Sequence, residues 1–263
     1  MSFTLYIPAT LGEAVAIENA KFLAGGTVLL ARAHKGFDIG QNLVSLERLA
    51  ELRGIVLEAD TLVIGACTTF DDIERSQLVK THAYALWQAA REVGGPQIRN
   101  RATLGGNLAS GSPASDGATP LLALDAVLSL TGRCGTRSMP LREFFKGKGV
   151  TALEPGELIT AIRVRLGAES RFIKVGKRSA LAVATLNIAI ARRDGIVSVA
   201  AGAVAPAPLY CVKTSDAINN GAENPADVML TEISPISDRW GDAEYKRRVC
   251  VNLLNELITE MKV

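Results

Sequence analysis

The sequence is poor in the residues that build metal centres and aromatic surfaces. Its 263 residues include four cysteines and two histidines, and aromatic residues make up 5% of the chain. The cysteines lie far apart, at Cys67, Cys134, Cys211 and Cys250. This spacing argues against an iron–sulfur cluster or a zinc site held by this chain. The scarcity of aromatic side chains argues against a surface that stacks nucleic-acid bases.

Strong charge and long apolar runs are also missing. The formal net charge is +2 and the basic residues are scattered, which argues against a nucleic-acid binder. The longest apolar run, residues 181–191, is about half a membrane span and contains Thr185 and Asn187. The N-terminus does not show the pattern of a signal peptide. We therefore expect a cytoplasmic protein with reduced thiols, an ample core and no membrane span.

The hydrophobic patterns divide the chain into three parts. Residues 1–53 predict a small α/β lobe, and residues 54–166 predict a second lobe that begins with a β-hairpin. Residues 167–263 begin with a series of strands and end with a long helix, which predicts a C-terminal α+β domain. Apolar periodicity also predicts helices over Ser45–Leu52 and Leu78–Val93.

Residues 99–116 have almost no hydrophobic period and are rich in glycine and small hydroxyl residues. A run of this kind in mid-chain is expected to be ordered by something that it holds. Glycines let the backbone approach a ligand closely, and successive free N–H groups form an anion-binding concavity. The run therefore predicts a site for a phosphate-bearing cofactor. An ordered loop without a ligand is the alternative.

A second glycine turn, Gly25-Gly26-Thr27, lies between a predicted strand and a predicted helix over Val28–Ala33. Backbone amides at the start of a helix favour an anion. Taken alone, the turn is equally well explained as a plain connection.

A formal match to the G-x-G-x-x-(G/A) pattern occurs at Gly147–Ala152. It follows a predicted helix and is followed by Pro155-Gly156, where a dinucleotide-binding motif needs a helix. We therefore interpret it as a loop.

The two glycine-rich segments occur together with further motifs. Leu23–Thr27 and Gln97–Ala109 are followed by Ser112–Asp116 and later by Lys174–Arg178. This combination resembles the FAD-binding medium subunit of molybdenum hydroxylases of the xanthine dehydrogenase and carbon monoxide dehydrogenase types. The resemblance covers nearly the whole chain. It implies an α+β fold of the vanillyl-alcohol oxidase type, with two α/β lobes and a C-terminal antiparallel sheet with helices.

The resemblance also implies which residues hold FAD between the two N-terminal lobes. The first glycine segment would offer amides to the pyrophosphate, and the second would form another phosphate-binding turn. Asp116 would accept hydrogen bonds from the adenosine ribose or a nearby polar group, Ile159 would pack on the cofactor, and Lys174 would lie near the flavin. Helix capping by Asp116 and a solvated Lys174 are the alternatives. The expected cofactor-binding residues are Leu23, Ala24, Gly25, Gly26, Thr27, Val28, Leu29, Thr103, Gly105, Gly106, Asn107, Asp116, Ile159 and Lys174.

The function implied by the resemblance is that of an electron-transfer subunit. Electrons would come from a molybdopterin centre on a large subunit through [2Fe–2S] clusters on a small subunit, and would leave FAD for NAD or another acceptor. The scattered cysteines agree with clusters on another chain. We expect neither catalytic nor metal-binding residues in this chain. The alternatives are a stand-alone FAD-dependent oxidoreductase of the vanillyl-alcohol oxidase type and a scaffold subunit that has lost FAD.

Two positions depart from the family pattern. Val28 stands where members often have an acidic or polar residue, so a side-chain contact to the cofactor is lost. Residues 179–182, Ser-Ala-Leu-Ala, replace acidic residues that many members carry near the flavin. The sequence leaves open the substrate, the subunit stoichiometry, the role of residues 97–100 and the choice among NAD, a quinone and oxygen as acceptor.

Overall fold

The N-terminal lobe is a three-stranded parallel sheet with two short helices. The computed structural model describes residues 3–178 and 182–263 of the chain. The elements of this lobe are β1 (Thr4–Tyr6), α1 (Leu11–Ala16), β2 (Ala20–Leu23), α2 (Leu29–His34) and β3 (Asn42–Ser45). Strand β3 lies between β1 and β2 and pairs with both in parallel. Helix α1 begins after Thr10, whose hydroxyl accepts a hydrogen bond from the Glu13 backbone N–H and so caps the helix.

The predicted helix over Ser45–Leu52 is wrong. Ser45 ends β3, and Ala50–Leu52 forms a short 3-10 helix. The Leu46 N–H donates to the carbonyl oxygen of Leu23, which extends the sheet pairing beyond β3. The buried leucines of this segment therefore enter the core from an irregular chain.

The second lobe combines a five-stranded antiparallel sheet with a layer of helices. Its helices are α3 (Phe70–Arg75), α4 (Gln77–His82), α5 (Tyr84–Arg91), α6 (Pro96–Arg99), α7 (Leu104–Ala109) and α8 (Ala118–Ala123). Its strands are β4 (Ile55–Glu58), β5 (Thr61–Gly65), β6 (Val127–Gly132), β7 (Gly135–Pro140), the small hairpin of β8 (Phe145–Gly147) and β9 (Val150–Thr151), and β10 (Leu158–Arg165). The order in the main sheet is β4–β5–β10–β6–β7.

The helix predicted over Leu78–Val93 is divided at Ala83. This residue is buried, with φ −143° and ψ 56°, and it separates α4 from α5. The Ala85 N–H donates to the Ser170 hydroxyl rather than to a carbonyl of the preceding turn. A tertiary hydrogen bond therefore interrupts a segment whose local pattern is that of one helix.

The C-terminal part is an antiparallel sheet with helices on one face. Its elements are β11 (Glu169–Gly176), β12 (Ala184–Arg193), β13 (Ile196–Gly202), β14 (Leu209–Tyr210), α9 (Val212–Asn219), α10 (Pro225–Met229) and α11 (Ala243–Met261), with the strands in sequence order. A turn at Asp194-Gly195 joins β12 to β13, the predicted terminal helix is present, and the Asp242 side chain caps α11.

Strand β12 faces two cores. Ala189 and Ala191 pack with the apolar core of the second lobe, whereas Ile188 and Ile190 pack against the C-terminal helices. The second lobe and the C-terminal sheet therefore share one apolar core.

The four cysteines are free thiols in the described structure, and Cys134 is the exposed one. In the part of the chain that the structure describes, no helix has the length and hydropathy to cross a membrane. The same part contains no group of three or more His, Cys, Asp or Glu side chains suited to a metal ion.

Candidate functional site

A cavity of about 870 Å³ opens between the N-terminal lobe and the second lobe. Cofactor and small-molecule sites commonly have volumes of about 300–1,000 Å³. The wall contains both apolar and polar side chains. The apolar ones include Val15, Ile17, Phe22, Leu46, Leu153, Leu158 and Ile159, and the polar or charged ones include Glu18, Asn19, Lys21, Arg133, Glu154 and Glu157.

The first glycine turn joins β2 to α2 beside this cavity. The backbone N–H groups from Gly25 to Leu29 have no hydrogen-bond acceptor among the described residues. Gly26 has a φ of +77°, which a side chain would strain. Free amides in a turn before a helix form a concavity for an anion. The turn is thus free to donate to an anion, and contact of Leu23–Leu29 with a pyrophosphate stays a prediction.

The second glycine-rich segment is helical, whereas the sequence predicts a loop. Thr103 is the N-cap of α7, and its hydroxyl accepts a hydrogen bond from the Gly106 N–H at 3.2 Å. The Leu104 N–H donates to the carbonyl oxygen of Thr68, and the Gly105 N–H donates to that of Ala66. The amides of this turn therefore already have protein acceptors, and the turn offers the cavity the exposed backbone of Gly106.

The signal for this helix is short but present in the sequence. Thr103 is a favourable N-cap residue, and Leu104 and Leu108 stand four positions apart. Both leucines are fully buried. The two glycines between them conceal the pattern. Contact of Thr103, Gly105, Gly106 and Asn107 with phosphate stays a prediction.

Three glycines differ in what surrounds them. A Cβ atom on Gly25 would lie 1.6 Å from the carbonyl oxygen of Arg101, and one on Gly105 would lie 2.6 Å from the Cβ of Ala66. Gly25 therefore has to be glycine for the first turn to pack on the backbone of Arg101, and Gly105 has to be glycine for α7 to pack on Ala66. A Cβ on Gly106 would have the Thr103 hydroxyl as its neighbour, at 2.8 Å, and a longer side chain would enter the cavity.

Asp116 and Lys174 form a buried ion pair. Lys174 Nζ lies 2.7 Å from Asp116 Oδ2 and also donates to the carbonyl oxygen of Glu92. Asn187 Nδ2 donates to Asp116 Oδ1 at 2.9 Å. Burial raises the pKa of Asp116, and the charge and hydrogen bonds of its partners oppose that effect. Both carboxylate oxygens thus have protein donors, and contact of Asp116 with a ribose stays a prediction.

The same geometry argues against the two alternatives, helix capping by Asp116 and a solvated Lys174. The N-cap of α8 is Gly117, and the Ala118 N–H donates to the Ser115 hydroxyl, whereas the Asp116 carboxylate accepts from Lys174 and Asn187 and does not cap the helix. The Lys174 side chain is 4% exposed, so it is not a solvated strand residue.

A second cavity, of about 610 Å³, adjoins Lys174. Its lining contains one acidic residue, Glu92, and several cationic ones: Arg91, Arg99, Lys174, Lys177 and Arg178. Arg99 is anchored, because its Nε lies 2.8 Å from Glu74 Oε2. This contact accounts for part of the motif at residues 97–100. The lining gives the second cavity a cationic character.

The predicted cofactor residues fall into separate groups. The cavity between the lobes brings together Ala24, Gly105, Gly106 and Ile159. Gly25 and Thr103 line a small gap that shares Ala24 with that cavity. Leu23 ends β2, and Gly26, Thr27, Val28 and Leu29 form the turn and the start of α2. Asn107 holds the next turn, since its Oδ1 accepts hydrogen bonds from Ser115 and Gly117. Lys174 lines the second cavity.

The predicted set contains none of the charged residues of the cavity wall, among them Glu157 and Arg133. Glu157 forms a two-pronged ion pair with Arg137, with both N–O distances at 2.7 Å. Arg133 reaches the N-terminal lobe from the β6–β7 turn. The contacts of both residues lack a local signal in the sequence, because each partner is distant in the chain.

Comparisons with known proteins agree with this arrangement. A sequence profile described as "FAD binding domain in molybdopterin dehydrogenase" matches residues 1–165. The chain is 32% identical over 272 residues to a xanthine dehydrogenase FAD-binding subunit from Escherichia coli O157:H7, across 96% of this chain and 93% of the relative. It is 33% identical over 263 residues to the carbon monoxide dehydrogenase medium chain of Hydrogenophaga pseudoflava, across 93% and 91%.

A solved structure is similar along both chains. A carbon monoxide dehydrogenase from Hydrogenophaga pseudoflava, lacking the Mo-pyranopterin moiety of its molybdenum cofactor, gives a TM-score of 0.91 at 32% identity. The match covers 98% of this chain and 96% of that chain. The predicted α+β fold, with two lobes and a C-terminal antiparallel sheet with helices, is confirmed.

Proposed function

Since this chain belongs to the FAD-binding family of molybdopterin dehydrogenases and is an FAD-binding oxidoreductase subunit of the xanthine and carbon monoxide dehydrogenase type, we propose that it relays electrons. The electrons come from iron–sulfur clusters on a small partner subunit, which receives them from a molybdopterin centre on a large subunit. They leave for NAD or another acceptor.

The free amides from Gly25 to Leu29, beside the cavity between the lobes, carry this proposal. A pyrophosphate needs several donors at close approach, and this turn offers them at the start of a helix. The apolar wall around Ile159 and Leu158 suits the rings of the cofactor. When bound, FAD supplies the electron-transfer chemistry.

Two titratable side chains of the cavity wall, Cys67 and Glu157, agree with a relay rather than a stand-alone oxidase. Burial raises the pKa of the Cys67 thiol to about 11, so this group stays protonated at neutral pH. Arg137 keeps the Glu157 carboxylate ionised, with a lowered pKa despite the opposing effect of burial. Neither group exchanges a proton readily near neutral pH, and an enzyme that oxidises its own substrate here needs a group that does.

The cationic second cavity favours an acceptor that carries phosphate, such as NAD, over a neutral quinone. Lys174 stands in its wall and is held in place by Asp116. The Ser-Ala-Leu segment that departs from the family pattern, residues 179–181, lies outside the described residues. Reduction of the bound flavin by NADH under anaerobic conditions tests this acceptor. If a reduced quinone reduces the flavin and NADH does not, the acceptor is a quinone rather than NAD.

Gly106→Val tests the site itself. The valine side chain would enter the cavity, so we expect FAD affinity to fall by at least about tenfold, or ~1.4 kcal/mol. The full chain is purified with the subunits that remain attached, and bound FAD is measured by its visible spectrum after titration.

Gly12→Val is the matched control. Gly12 also lies in the first turn of a helix, but it is exposed and away from the lining of the cavity. This variant should bind FAD as the wild type does. A wild-type chain that stays colourless with excess FAD would overturn the proposed function. Unchanged affinity in Gly106→Val would place the cofactor elsewhere.

A further inference from the structure

Arg133 lies in the turn between β6 and β7 and reaches across to the N-terminal lobe. Its Nε donates to the carbonyl oxygen of Val15 at 3.2 Å, and its Nη2 donates to that of Ala16. Its Nη1 lies 3.0 Å from Glu18 Oε1. Val15 and Ala16 end α1, whose last turn has no basic residue of its own. Arg133 therefore supplies the cation and the donors for the carbonyl end of this helix.

These hydrogen bonds cross from the second lobe to the N-terminal lobe. Among residues 3–178 and 182–263, each side-chain hydrogen bond between the N-terminal lobe and the rest of the chain is made by Arg133. Elsewhere the backbone joins the two parts. The Cys67 N–H donates to the carbonyl oxygen of Leu52, and Gly25 packs on the backbone of Arg101. One side chain thus makes the polar side-chain link between the lobes.

The segment that Arg133 holds is also a wall of the cavity. Val15, Ile17, Glu18 and Asn19 line it, and Arg133 lines it from the other lobe. Asn19 has a φ of +52°, so the chain turns sharply immediately after these contacts. Release of the guanidinium would leave this turn attached to the second lobe only through packing. The cavity would then be free to widen at this wall.

The strength of the link suits a contact that opens and closes. The Arg133 and Glu18 side chains are 49% and 75% exposed, and ion pairs this exposed contribute little to stability. The bonds to the two carbonyl oxygens have a charged donor and are the stronger part. We therefore expect the hydrogen bonds to the end of α1, rather than the ion pair, to hold the lobes.

We propose that Arg133 is a positioning residue that latches the N-terminal lobe over bound FAD and sets the rate at which the cofactor leaves. This rests on the proposed function, because FAD is taken as the occupant of the cavity. Arg133 acts through the turn at residues 15–19.

Cofactor release from three variants tests the latch. The full chain is loaded with FAD, and loss of FAD is followed after dilution into an apoflavoprotein that captures it. Arg133→Ala should release FAD about tenfold faster than the wild type. Arg133→Lys should restore part of the difference, because an ammonium group still donates to the carbonyl oxygens. Arg142→Ala is the control: its side chain is similarly exposed, at 44%, but pairs with Asp125 within the second lobe.

Hydrogen–deuterium exchange of the FAD-free chain gives a readout that does not need the cofactor. Backbone amides of residues 15–22 should exchange faster in Arg133→Ala than in the wild type or Arg142→Ala. Unchanged exchange, or equal release rates in Arg133→Ala and the wild type, would overturn the latch. Equal acceleration in Arg142→Ala would also overturn it, since the effect would then be general destabilisation. A wild type that does not bind FAD defeats the proposed function, and exchange alone then decides whether Arg133 holds the lobes.

Discussion

Two hydrogen bonds from Arg137 determine the charge state of Glu157 in the cavity wall. Burial by itself raises the pKa of this carboxyl, but the bonds from Arg137 and from the Glu154 N–H outweigh burial. The pKa is therefore lower than the ordinary value of 4.5. Arg137 also donates to the carbonyl oxygen of Ala152, so the same pair fixes the wall segment around residues 152–157.

The lowered pKa gives Glu157 a defined effect on acid stability. A group whose pKa falls on folding stabilises the protein above its unfolded pKa, and that contribution is lost as the pH falls through the folded pKa. Glu157→Gln should lower the free energy of unfolding at neutral pH by about 1 kcal/mol. The difference from the wild type should shrink as the pH falls below 4.5. Urea unfolding across this pH range measures both effects.

Glu58→Gln is the matched control for this measurement. Glu58 pairs with Arg163, and the two side chains are 54% and 40% exposed. Its loss should change stability by less than about 0.5 kcal/mol. A constant difference between the wild type and Glu157→Gln at all pH values would contradict the assigned charge state.

At the residue scale, the sequence predicts chemistry where a local motif exists. The free amides at Gly25–Leu29 follow from a glycine turn between a strand and a helix. The pairing of Asp116 with Lys174 depends on strand register and joins residues 58 positions apart. The contacts of Arg133 and Glu157 with their partners likewise follow from no local spacing. Such contacts appear only when the topology is known.

Among the secondary-structure elements, α4 and α5 show how a distant side chain divides a helix. Ser170 is the second residue of β11 and is fully buried, and its hydroxyl accepts a hydrogen bond from the Ala85 N–H in the first turn of α5. The first N–H groups of any helix need such an acceptor. The Phe172 N–H in turn donates to the side chain of Gln88, so α5 and β11 are joined in both directions.

Ser170→Ala should therefore destabilise the protein through α5. It would leave the buried Ala85 N–H without its acceptor, at a cost of about 1–2 kcal/mol. Chemical denaturation followed by circular dichroism measures this change. Ser138→Ala, at an exposed position of β7, should shift stability by less than about 0.5 kcal/mol. Equal stabilities of the two variants would show that the Ser170 bond is not needed.

Elements with local turn signals are predicted best. The hairpin of β4 and β5 and the turn at Asp194-Gly195 follow from short-range residue preferences. The predicted helix over residues 45–52 does not form, because its first residues, Ser45 and Leu46, pair with Leu23 at the end of β2. Helix α7 is missed because two glycines stand between Leu104 and Leu108. At residues 45–52 a tertiary contact outweighs the local pattern, whereas at α7 the local pattern itself is weakened by the glycines.

At the scale of the whole molecule, the C-terminal sheet and the second lobe are packed around one shared apolar core. Phe172, Ala189, Ala191 and Ala200 belong to the same apolar core as the helices of that lobe. Asn187 adds a polar link, because it bonds both Asp116 and Thr119. The domain boundary predicted between residues 166 and 167 therefore separates chain segments whose cores are continuous.

We expect residues 54–263 to unfold in one cooperative step. The two tryptophans report on the two sides: Trp87 lies in α5 of the second lobe, and Trp240 precedes α11. In Trp87→Phe and in Trp240→Phe, the remaining fluorescence transition should coincide with that variant's own circular dichroism transition. A separate midpoint for Trp240 would show that the C-terminal part unfolds alone.

The contact between Gly25 and the Arg101 backbone has a consequence for protein engineering. No side chain separates the two glycine-rich segments, so their shapes are matched at the level of the main chain. A graft of the N-terminal lobe onto another scaffold would lose that match unless residues 99–107 travelled with it. The smallest transplantable cofactor module is consequently discontinuous in sequence, and a chimaera joined at the lobe boundary would be assembled from halves that do not fit.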